Sequence, residues 1–138
     1  METLPEKPSE LIRVALEDLE KCEQDPRYEI DMSTWHAPNG ACRVCLAGAV
    51  IAQRLNWPIT ERVIHPNVFV TERRKLLALD AAREGCVSEM LDFLDINTPP
   101  GFDHEWELDR EIEYHCVDRK AFKADMLQLA NDLEAAGL

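Results

Sequence analysis

His36, Cys42 and Cys45 fall within one short stretch of this chain, Trp35 to Leu55, and are the residues whose types and spacing could do chemistry. Two cysteines three apart supply half of a tetrahedral zinc site, which His36, His104, His115 or Cys116 would have to complete. The same pair at a helix N-terminus would carry a thiol of lowered pKa, the setting of redox exchange. A cysteine at a helix start beside a histidine is also the setting of a nucleophile, with His36, His104 or His115 as base. Each pattern is incomplete. The zinc spacing lacks a second pair, because His115 and Cys116 are adjacent. The chain after Cys45 reads as helical, whereas thioredoxin-like sites sit in a βαβ unit. Free cysteines most often serve as small buried hydrophobes, and that reading is taken first. A zinc-stabilised or cysteine-dependent protein centred on His36, Cys42 and Cys45 is the alternative. Trp35 and His36 have an ordinary reading too: an indole plugging the edge of the core and an imidazole making one backbone hydrogen bond.

The second conspicuous feature is a row of acids. Asp103, Glu105, Glu107, Asp109, Glu111 and Glu113 hold every second position, with Trp106, Leu108, Ile112 and Tyr114 among the intervening ones. In a strand, residues two apart lie about 6.6 Å apart on one face, so the six carboxylates would form a regular line of negative charge, fit to meet a basic groove. Glu is a poor strand former and a good helix former. The segment therefore reads as a short helix near 105–110 followed by an extended piece to Cys116. An exposed solubilising edge is the plain alternative.

Composition limits what such features can mean. The chain has 138 residues, 46% hydrophobic and 30% charged, which predicts one globular domain over 1–138 with residues 1–8 loosely held. A domain of this size buries roughly 68% of its unfolded surface, so neither metal nor disulfide is needed for folding, and no cofactor is expected outside the zinc alternative. Fifteen Lys and Arg stand against 27 Asp and Glu, a formal net charge of −12. That sign disfavours direct nucleic-acid binding, which needs concentrated cations, and favours a partner with a basic surface. Five cysteines and an N-terminus without an apolar stretch predict a reduced, cytoplasmic protein. No apolar run approaches the length of a membrane span.

The elements that must position these residues follow from periodicity. Pro8 and Ser9 open a first helix with Leu11, Ile12, Ala15, Leu16, Leu19 and Cys22 on its buried face and Glu17, Asp18 and Lys21 on its wet one, stopped at Asp25-Pro26. Tyr28, Ile30 and Met32 alternate with acids as a short strand. After the Pro38-Asn39-Gly40 turn, a central helix is expected over about 41–55, with Cys42 and Cys45 on one side of it and Ala47, Gly48 and Ala49 admitting another backbone. Thr71 is the expected cap of a third helix ending at Gly85, with Arg73, Arg74 and Lys75 on a solvated face, and a shorter helix covers 87–94. Pro99-Pro100-Gly101 breaks the chain. Asp118 opens a last helix in which Phe122, Met126, Leu129 and Leu133 recur at helical steps. The fold class predicted is mainly α, or α+β with a small two-stranded patch.

The words Asp25-Pro26-Arg27-Tyr28-Glu29-Ile30-Asp31-Met32, Trp35-His36 and Cys42-Arg43-Val44-Cys45-Leu46-Ala47-Gly48-Ala49, together with Leu76-Leu77-Ala78-Leu79-Asp80 and the closing Leu133 to Leu138, resemble short hypothetical proteins of bacteriophage and prophage genomes. The resemblance implies a phage-related origin and expression in a bacterial cytoplasm, and carries no catalytic residue with it. The expected function is that of a non-enzymatic accessory protein binding a host or phage protein, with the row from Asp103 to Glu113 as its contact.

Overall fold

The computed structural model describes residues 4–102 and 119–138, and the fold is α+β, mainly helical with a small mixed sheet. Helix α1 spans Pro8–Gln24, with proline in its first turn where a missing N–H costs nothing. Asp25 ends it in extended backbone, and strand β1 (Tyr28–Ile30) follows. Strands β2 (His36–Asn39) and β3 (Ala41–Val44) form a tight hairpin around Gly40, whose φ of +74° is one that side chains rarely adopt. Strand β3 is central: β1 runs parallel to it with Tyr28 opposite Cys42, and β2 runs antiparallel with His36 opposite Val44 and Pro38 opposite Cys42.

Here the structure corrects the expected helix over 41–55. Residues 41–44 are a strand, and helix α2 occupies only Leu46–Gln53. The hairpin wins over local preference because Gly40 turns the chain back onto β2. The burial then alternates as a strand requires: Cys42 and Val44 face the core, while Arg43 points out toward Glu29 and Asp31 at 3.7 and 3.9 Å. The short β patch is present, as a three-stranded sheet among the described residues, while the extended piece expected up to Cys116 lies outside them.

Helix α2 is short and buried from Leu46 through Ala52, so it forms the hub of the core, packing on α1, on the third helix α3 (Arg73–Arg83) and on the sheet. A 3-10 turn, Pro66–Val68, precedes α3; Gly85 (φ +83°) turns α3 into α4 (Val87–Phe93). Thr71 is not the cap of α3. Glu72 holds that position without a side-chain bond and is buried, and Lys75, expected in solvent, is largely buried too: Lys75 Nζ donates to the carbonyl of Leu4 at 2.7 Å. Helix α5 (Arg119–Ala135) buries Phe122, Met126, Leu129 and Leu133 as its spacing predicted. It lies antiparallel along α1. Arg119 meets Glu23 at one end, Arg13 meets Asn131 and Glu134 further along, and the Ser9 hydroxyl donates to the Leu138 carbonyl at the other. Among the described residues no helix is long and apolar enough to cross a membrane.

Candidate functional site

The three chemistry-bearing residues of the sequence stretch are only partly brought together. His36 begins β2 and Cys42 lies on the neighbouring β3, and their side chains meet in the interior, where His36 is 0% and Cys42 2% exposed. Cys45 follows β3 as the N-cap of α2, with its Sγ accepting the Gly48 N–H at 3.3 Å. A helical pair would share one side; a strand followed by a cap sends the two thiols into different surroundings. Cys42 borders an open cleft with Arg27, Pro38 and Ile59, and Cys45 borders a separate open cleft with Trp35, Asp80 and Arg83. Among the described residues no group of three His, Cys, Asp or Glu side chains is placed to hold a metal ion. His104, His115, Cys116 and the row Asp103, Glu105, Glu107, Asp109, Glu111 and Glu113 lie outside the described residues.

The state of His36 follows from its partners. Its Nδ1 lies 2.7 Å from the Glu61 carbonyl, and because a carbonyl only accepts, Nδ1 carries the proton and Nε2 holds the lone pair. The same Glu61 carbonyl accepts the Trp57 indole N–H at 3.0 Å, and the His36 carbonyl accepts the Val63 N–H at 2.9 Å. The 57–63 connector is thereby clamped onto β2. Burial pushes the His36 pKa below its usual value, so the ring is neutral at pH 7. The ordinary reading of Trp35-His36, one backbone hydrogen bond for the imidazole, is what the structure shows.

Cys42 Sγ is 3.5 Å from Nε2 and 3.7 Å from Nδ1 of His36. Near-equal distances to both nitrogens put the sulfur over the ring and not along the Nε2 lone pair, since in the ring plane it would collide with the carbon between them. A general base must line up with the proton it takes, and this pair does not. Burial also raises the Cys42 pKa. Cys45 is pushed up to about 12, first by burial and then by Asp80, and Cys22 to about 11 by burial. These are neutral thiols, the opposite of a lowered-pKa redox or nucleophilic cysteine.

Two charged sites were missed by reading the helices as half wet. Asp18, assigned to the solvent face of α1, is fully buried and bonded to Arg54 Nε at 2.9 Å, with Oδ1 left without a hydrogen bond. Burial outweighs Arg54 and Lys21 and raises its pKa to about 6. The signal was present, because Leu11, Ala15, Asp18 and Cys22 follow steps of four, three and four. Arg83 on α3 is likewise 95% buried, its Nε on Asp80 Oδ1 at 3.1 Å and its Nη2 on Glu84 Oε1 at 2.9 Å. It continues the buried stripe of Leu76 and Leu79. Comparison with protein-family profiles, curated proteins and solved structures finds no match to this chain.

Proposed function

We propose that this chain is a non-enzymatic accessory protein of phage type that acts in the bacterial cytoplasm by binding a host or phage protein through an acidic surface. The carrying observation is the charge distribution. The net charge is −12, and six of the carboxylates stand at alternate positions from Asp103 to Glu113, interleaved with Trp106, Leu108, Ile112 and Tyr114. Such a segment offers both charge to steer a basic partner and apolar groups to hold it. Support also comes from the buried chemistry, since His36 and Cys42 are both neutral and misaligned for proton transfer.

The test is capture. Immobilised protein is challenged with a bacterial lysate, beside a variant in which Glu107, Asp109 and Glu111 are replaced by Lys. The variant is expected to keep its helical circular dichroism and to lose the captured partner, whose retention by the parent protein should weaken as salt rises. Undiminished capture by the variant overturns the acidic row as the contact.

A further inference from the structure

We propose that the surface from Arg62 to Arg74, around the 3-10 turn that leads into α3, is a docking knob for an acidic protein segment carrying apolar side chains. Four large hydrophobic side chains stand exposed among the described residues, and three of them are on this one loop: Ile64, Val68 and Val70, at 77%, 59% and 86% exposure. Single apolar residues on a surface are ordinary, whereas a cluster marks a contact surface. This contact is opposite in sign to the acidic row and independent of it.

The loop is built to hold these side chains out. Phe69, between two of them in sequence, is 8% exposed and packs edge-on against Trp57 with ring centroids 5.0 Å apart. Its N–H donates to the Pro66 carbonyl at 2.9 Å, and its carbonyl accepts the Glu72 N–H at 3.1 Å. His65 accepts the Asn67 N–H at 3.3 Å, and the Asn67 side-chain oxygen accepts from Arg73. A loop pinned this way loses little freedom on binding, so less of the contact energy goes into ordering it.

Charge selects the occupant. Residues 61–75 hold four of the 15 cations but two of the 27 acids of a chain whose net charge is −12. Of those two acids, Glu72 is 4% exposed and, with Glu6, pairs with Lys75. The exposed charges left on the stretch are Arg62, Arg73 and Arg74 against Glu61. Charges further off than about 8 Å are screened at physiological salt, so a partner meets this local positive excess and not the total of the chain. A second copy docked knob to knob would set the arginines against one another. An acidic segment reverses that sign: its carboxylates reach the guanidinium groups while its apolar side chains cover Ile64, Val68 and Val70.

The probes are three synthetic peptides of one length, built from Glu-Leu-Ser, Lys-Leu-Ser and Glu-Ser-Ser repeats, followed through the backbone amide signals of Val68 and Val70 in ¹⁵N-labelled protein. The Glu-Leu-Ser peptide is expected to shift both signals saturably, and more weakly as salt rises. The other two peptides should bind more weakly by about tenfold or more. Val70→Ser, at the most exposed of the three positions, should weaken the Glu-Leu-Ser peptide by about tenfold, read at Val68. Equal binding of the Lys-Leu-Ser or the Glu-Ser-Ser peptide overturns the proposal, leaving a bare apolar or a bare charge contact. No shift with any peptide overturns it too, as does concentration-dependent dimerisation abolished by Val70→Ser, which gives the surface to a second copy. Binding that appears only once Glu107, Asp109 and Glu111 are replaced by Lys assigns the loop to the chain's own acidic row and overturns it equally.

Discussion

The backbone carbonyl of Trp35 presses against Gly48 so closely that a methyl group on Gly48 would lie 1.7 Å from the oxygen. Alanine in a helix normally outranks glycine by about 1 kcal/mol, so the sign of one substitution is decisive. Gly48→Ala is expected to destabilise the protein by roughly 2–3 kcal/mol through forced separation of β2 from α2. Urea denaturation measures it, and a gain in stability would show that the contact is loose.

Thiol reactivity should follow burial and not the Cys-x-x-Cys spacing. Cys22, Cys42 and Cys45 are buried with raised pKa values, whereas Cys86 is partly exposed. Of these four, native protein treated with iodoacetamide near pH 8 should be alkylated first at Cys86, the other three reacting only as fast as the chain unfolds. Peptide mapping by mass spectrometry reads this directly, and rapid labelling of Cys42 would restore it as a nucleophile.

A zinc ion shared by His36, Cys42 and Cys45 would require Cys45 to abandon the Gly48 N–H and turn into the other cysteine's surroundings. Protein purified without chelator is expected to give its unmodified mass under native conditions and the same melting temperature with or without EDTA. A zinc adduct lost in Cys42→Ser would establish the metal-stabilised alternative.

Two buried groups should bend the pH dependence of stability in opposite directions. Asp18 holds its proton more tightly folded (pKa about 6) than unfolded, so its contribution is fully present below pH 4 and is lost as pH rises through 6. The size is on the order of 2–3 kcal/mol. His36 has a lowered folded pKa, so its contribution is present above pH 6.5 and is lost as pH falls toward that lower value. Between pH 4 and 7 the parent should lose unfolding free energy relative to Asp18→Asn as pH rises, the His36 contribution being common to both. Parallel curves would show that Asp18 titrates normally.

The long amphipathic helices were legible because their apolar residues repeat at helical steps; Phe122, Met126, Leu129 and Leu133 lie in the core as that spacing requires. The apolar stretch 41–52 was not, since a run interrupted only by Arg43 has no period to read, and that one charge fits either a helix or a strand. What decides it is the pairing of β3 with two other strands, a non-local fact. The candidate site suffered accordingly. His36 and Cys42 do meet, but because they sit on paired strands, and Cys45 is separated from them by the change from strand to helix. Charges were read as solvent markers, which hid Asp18 and Arg83 even though both fall on the buried repeat of their helices.

The antiparallel seam between α1 and α5 joins residues separated by more than 90 positions, from Glu23–Arg119 to Ser9–Leu138. During synthesis the flank of the first helix that α5 covers therefore stays without that cover until α5 itself has been made. A polypeptide cut short before α5 is therefore expected to expose that apolar flank of α1 and to aggregate in place of folding to a smaller version of the domain.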